Sequence, residues 1–84
     1  MNTEELMESL KKVVKPYVKS EEGFKNMTAG SDFINDLKIN SANLIDVILD
    51  IENEFDIVID NSSMEKMLTV GSAIEIITTK LSEK

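Results

Sequence analysis

Within the stretch LIDVILDIENEF, Leu44, Val47, Ile48, Ile51 and Phe55 recur at helical intervals. That is the spacing of one buried stripe along an α-helix. The pattern appears twice more. Leu6, Leu10, Val13, Val14, Tyr17 and Val18 mark a first helix, and Val70, Ala73, Ile74, Ile77 and Leu81 mark a last one. Such stripes are stable only when buried against one another, so the expected class is all-α. Asn2 and Glu5 stand in capping-box register at the first helix. Pro16 removes a backbone donor and clashes one turn back, so that helix is expected to kink or end near it. Thr69 is placed to cap the last helix. NSSMEKM predicts a short helix, with Ser62 and Glu65 in capping-box register. FDIVID alternates with period two, but a lone strand has no partner. It reads as a connecting loop whose Ile57 and Ile59 plug the core. Residues 19–40 contain two of the three glycines and little periodicity. They read as a long loop between the first and second helices, anchored by Phe24, Phe33, Ile34 and Leu37. The expectation is a four-helix bundle, three main helices plus one short helix, in one domain spanning 1–84.

A chain of 84 residues buries a modest core, about 60% of the surface exposed when unfolded. There is no cysteine and no histidine. Disulfides, thiolate metal sites, the usual general base and the commonest metal ligand are therefore all absent. Enzymatic readings start weak, and no catalytic or metal residue is assigned. No apolar run is long enough to span a membrane. MNTEELMESLKK lacks a basic start and a long apolar stretch, so no secretory signal is read there and a cytoplasmic location is expected.

Nine lysines face sixteen acids, a net charge of −7. Between Lys38 and Lys66 there is no basic residue, and the interval holds Asp46, Asp50, Glu52, Glu54, Asp56, Asp60 and Glu65. Elsewhere nine acids balance the nine lysines, so the whole excess lies in that one interval. Nucleic acid is an unsuitable partner for it, and a basic protein surface is a suitable one. On a helical wheel the core stripe spans about 100°. Asn43, Asp46, Asp50, Asn53 and Glu54 fill the opposite arc. Ala42, Ile45 and Leu49 lie to one side of the stripe and widen the apolar arc. An apolar strip bordered by acids suits a docking surface; the plainer reading is that it packs against the long loop. Ser41 opens this helix, where a serine is very often only an N-cap.

With these features in place, the sequence resembles the acyl carrier proteins over essentially its whole length. That family has an Asp-Leu-Gly type turn, an Asp-Ser-Leu helix start, a Glu-rich helix ending in Glu-Phe-Asp, and a Thr-Val start to its last helix. Asp36-Leu37, Ser41, Glu54-Phe55-Asp56, Glu65-Lys66 and Thr69-Val70 match without a gap. The resemblance implies a right-handed four-helix bundle and a non-catalytic carrier that acts as cosubstrate of partner enzymes. Ser41 is then the attachment point of 4′-phosphopantetheine, added from coenzyme A with Mg²⁺ by a separate phosphopantetheinyl transferase. Acyl groups would ride as thioesters on the thiol of that arm. The partners implied are acyl-transferring and synthase enzymes with basic patches, in fatty-acid, polyketide or related synthesis. Asp46, Glu52 and Asp60 match positions that meet those patches. Asp50 joins them by its place on the wheel, and Ala42, Ile45 and Leu49 supply the apolar contact. The acids also fit an ordinary solvated face. Acyl chains in the family tuck between the second and third helices. This makes Val47, Ile48, Ile51, Met64, Met67 and Leu68 cavity candidates, with core filling as their plainer role. A monomer is expected.

Departures from the family pattern cluster at the serine. Asn40 replaces the usual aspartate, Ala42 the usual leucine, and Asn43 a frequent aspartate. Leu44, Val58 and Asp60 stand where a polar residue, an acid and a proline are common. These changes point to a specialised carrier. The alternatives are a peptidyl or D-alanyl carrier, or an acidic helical interaction module with no prosthetic group. Calcium binding is disfavoured, because DIVIDNSSMEKM has Val58 at a ligand position and lacks the central glycine.

Overall fold

The first helix starts where its capping residues predict. In the computed structural model, which describes residues 2–83, Glu5 N–H donates to Asn2 Oδ1 at 2.8 Å and Asn2 Nδ2 donates to Glu5 Oε1 at 3.3 Å. Helix α1 runs Thr3–Val14 and buries Leu6, Leu10 and Val14. It ends at the proline: Lys15–Tyr17 tighten into a 3₁₀ turn that Pro16 can enter but not continue as α-helix.

The long loop contains a helix that periodicity does not reveal. Helix α2, Glu21–Lys25, is capped by Ser20, whose Oγ accepts from Gly23 N–H at 3.1 Å. Gly23 lies against the Asp36 carbonyl, where any Cβ would collide. Phe33 and Leu37 are buried and Phe24 packs partly against the core, as expected of anchors. Ile34 is not an anchor, being 37% exposed. The Asp32 carboxylate gathers the Ile34 and Asn35 N–H groups into a tight turn that leaves Ile34 outside.

Helix α3 spans Ser41–Phe55 and buries Val47, Ile48, Ile51 and Phe55, with Leu44 partly buried beside them. It ends at Asp56, in the left-handed region at φ 54°, and Ile57 N–H returns to Glu52 O, a closure typical of helix C-termini. Ile57 and Ile59 point into the core, so FDIVID is the plug it was expected to be. Helix α4, Asn61–Lys66, is capped by Asp60, whose Oδ1 accepts from Ser63 N–H at 2.9 Å. This corrects the expectation for Ser62, which lies inside the first turn because the helix begins two residues earlier. Helix α5, Val70–Ser82, is capped by Thr69 as predicted and buries Val70, Ala73, Ile74 and Ile77.

The architecture is all-α: the three main helices and short α4, with α2 set into the loop. Helix α1 packs on α3 and α5, and α4 packs on α5. The loop is tied to the α4–α5 junction by three backbone bonds. Phe33 N–H donates to Leu68 O, Val70 N–H to Ser31 O, and Gly71 N–H to Ala29 O, around an isolated antiparallel bridge between Asp32 and Thr69.

Candidate functional site

The chain approaches α3 through Leu37, Lys38, Ile39 and Asn40. Leu37 and Ile39 are buried, which pins the approach to the core, and Ile39 N–H donates to Phe33 O at 3.0 Å. Between them Lys38 is exposed and left-handed, with φ 59°. Asn40 is extended and caps α3: its Oδ1 accepts from Ala42 N–H at 2.8 Å. Ser41 is therefore the first residue of the helix rather than its cap. It is exposed, and its hydroxyl makes no hydrogen bond to another described residue. A side chain of the commonest capping type stands at the helix start with nothing to cap.

This arrangement fits the group implied by the resemblance. The oxygen is open to an approaching enzyme and is carried on a rigid element. The helix N-terminus behind it presents the positive end of the helix dipole, which favours an added phosphodiester. No acidic side chain occupies the first turn of α3 to oppose that charge.

Beyond Ser41, Ala42, Ile45 and Leu49 are exposed, Ile45 by 55% and Leu49 by 50%. The apolar strip thus faces solvent and is not covered by the long loop. Asp46 is exposed beside it. Three of the other acids carry internal bonds. Asp50 is half-buried and accepts from the Tyr17 hydroxyl at 2.7 Å, linking α3 to α1. That bond, with burial and the nearby negative charge, holds the Tyr17 phenol above its ordinary value. Glu52 is half-buried, and its Oε2 accepts from Ile59 N–H at 2.8 Å, clamping the loop after α3. Asp60 caps α4, and the Ser63 hydroxyl and N–H hold its carboxyl below the usual range. Glu52 and Asp60 are expected at the partner face from the resemblance, and only Asp46 and Asp50 are placed, opposite the core stripe, by helical phase. It carried no sign of the tyrosine, loop or helix that meets them.

The cavity candidates separate in the same way. Val47, Ile48, Ile51 and Met67 lie within the core, and Met64 packs partly against it. Leu68 is 54% exposed at the end of α4. No helix among the described residues is long and apolar enough to cross a membrane.

A helical bundle with an exposed serine at the start of an acidic second main helix is consistent with the carrier class that the resemblance implies. The sequence comparisons specify which. The chain is 31% identical to the acyl carrier protein of Thermotoga maritima over 78 residues, covering 93% of this chain and 94% of that one. It is 31% identical to that of Coprothermobacter proteolyticus over 84 residues, the whole of both chains. A relative of the same name in Exiguobacterium sp. is 38% identical over 55 residues, 66% of this chain and 70% of its own. No protein-family model matches. The chain belongs to the acyl carrier protein family.

Proposed function

We propose that Ser41 carries 4′-phosphopantetheine and that the protein delivers acyl thioesters on that arm to the enzymes of fatty-acid, polyketide or related synthesis. The observation that carries this reading is the idle, exposed hydroxyl of Ser41, released from capping by Asn40. In the attachment step the Ser41 oxygen forms a bond to the β-phosphorus of coenzyme A. The phosphoanhydride bond breaks, adenosine 3′,5′-bisphosphate leaves, and the serine proton passes to a base on the transferase. This chain needs to contribute only an accessible oxygen held in place, which is consistent with its having no histidine. When attached, the arm supplies the thiol that a protein without cysteine lacks.

Asp46 and the exposed Glu54 add to the field that guides partners toward α3, while Ala42, Ile45 and Leu49 offer the close contact. Exposed ion pairs contribute about 0–1 kcal/mol each, which suits a protein that must leave each partner after transfer. The neutral residues at the serine, Asn40 and Asn43, favour a specialised pathway over general fatty-acid synthesis. The names of the relatives favour acyl over peptidyl or D-alanyl cargo.

The test is intact-mass analysis after incubation with a broad-specificity phosphopantetheinyl transferase, coenzyme A and Mg²⁺. The expected result is gain of one arm by the wild-type chain and none by Ser41→Ala. A wild-type chain that stays unmodified, or an equal gain in the variant, overturns the reading.

A further inference from the structure

The backbone at Lys38 lies in the left-handed region, φ 59°, which glycine enters freely and lysine enters at a cost. The family's turn has glycine at this position. The conformation is fixed from both sides. Buried Leu37 accepts at its carbonyl from Lys19 N–H at 3.2 Å, and buried Ile39 donates to Phe33 O at 3.0 Å. Lys38 is left exposed between them, three residues before Ser41. A strained residue other than glycine, kept where glycine would serve, points to a use for its side chain.

Nothing within the protein uses that ammonium. The ion pairs among the described residues involve Lys11 and Lys80, and the Lys38 side chain has no partner there. The acid just before it, Asp36, accepts from the Asp32 N–H at 2.7 Å. From Leu37 to Ile45, Lys38 is the only charged residue. The next acid, Asp46, leaves α3 about 140° around the helix from Ser41. An anion placed on Ser41 therefore has one cation close to it in the chain and no carboxylate in the first turn of α3. Three residues of chain span at most about 11 Å. A lysine stem at one end and a phosphate on the serine at the other can close that separation.

We propose that Lys38 is a positioning residue for the arm: its ammonium pairs with the phosphodiester on Ser41 and restrains the arm at its root. The proposal rests on the reading of Ser41 as the attachment point. The phosphodiester adds a negative charge to a chain already at −7, and the cation on the approach to α3 meets it. The pair is exposed to solvent, so salt weakens it.

In the experiment the full chain is converted to the phosphopantetheine form with an excess of a broad-specificity transferase, and intact mass confirms complete conversion. ³¹P NMR then reads the phosphodiester resonance at low and high salt in wild type, Lys38→Gln, Lys38→Gly and Lys12→Gln, each checked for folding by circular dichroism. Lys12→Gln is the control, because it removes the same charge from an exposed lysine that lines a groove with Asp50 and Glu54, far along α3 from Ser41. At low salt the wild-type and Lys12→Gln resonances are expected to coincide, with both Lys38 variants displaced from them. High salt is expected to bring the wild-type resonance to the position of the Lys38 variants. In wild type at low salt, a nuclear Overhauser contact is expected between the Lys38 side-chain methylene beside the ammonium and the arm's methylene beside the phosphate. A single resonance position for all the chains at low salt, with no such contact, overturns the proposal. So does an equal displacement in Lys12→Gln, which would mean that the resonance follows total charge. A wild-type chain that never gains the arm is a separate outcome, and removes the reading of Ser41 itself.

Discussion

The bond from Tyr17 to Asp50 joins the only tyrosine to a half-buried carboxylate in a chain without tryptophan, so its titration can be followed directly by phenolate absorbance. The folded phenol is held above 10.0. A raised folded value means that the stabilisation is complete below 10.0 and is lost as pH rises through the folded value. Asp50→Asn removes the charge, and the tyrosine is then expected to titrate closer to 10.0. An unchanged titration curve would show that the bond does not control the phenol. Lys38 offers a second test. A left-handed backbone costs an L-residue roughly 1–2 kcal/mol, while glycine enters that region freely but has more chain entropy to lose. The family turn has glycine at this position. Lys38→Gly is accordingly expected to raise stability by up to about 1 kcal/mol, seen as a higher urea midpoint. A lower midpoint would mean that the lysine side chain holds the turn.

Among the elements, α1, α3 and α5 were legible because each repeats its apolar spacing over several turns, and a long period is hard to mimic by chance. Helix α2 was not legible, since five residues with glycine at the centre show no period. Its presence follows from the local Ser20 cap and from one contact remote in sequence, the Asp36 carbonyl over Gly23. At the site the serine could be read, but its freedom from capping could not. Asn and Ser both make good caps, and the choice between them depends on a one-residue shift in the helix start. The loop also depends on Gly71, where an added Cβ would lie 2.8 Å from the Ala29 carbonyl oxygen. Gly71→Ala is expected to push α5 away from the loop and cost on the order of 1–3 kcal/mol, measured by thermal unfolding. A variant as stable as wild type would show that Ala29 can move aside freely.

For the molecule as a whole, the acids of the Lys38–Lys66 interval lie on and after α3 with no lysine among them. The ion pairs found among the described residues, Lys11 with Glu8 and Lys80 with Glu83, lie on α1 and at the end of α5, both 3.9 Å long and partly exposed. They do little to relieve the repulsion along α3. Monovalent salt screens that repulsion, so Tm is expected to rise as salt is added. A Tm that falls or stays level would mean that attractive pairs outweigh the excess of like charge.

Asn40, by closing the first turn of α3 itself, makes the serine structurally dispensable. Under the attachment proposed above, an arm added at that oxygen breaks none of the hydrogen bonds that close the helix start.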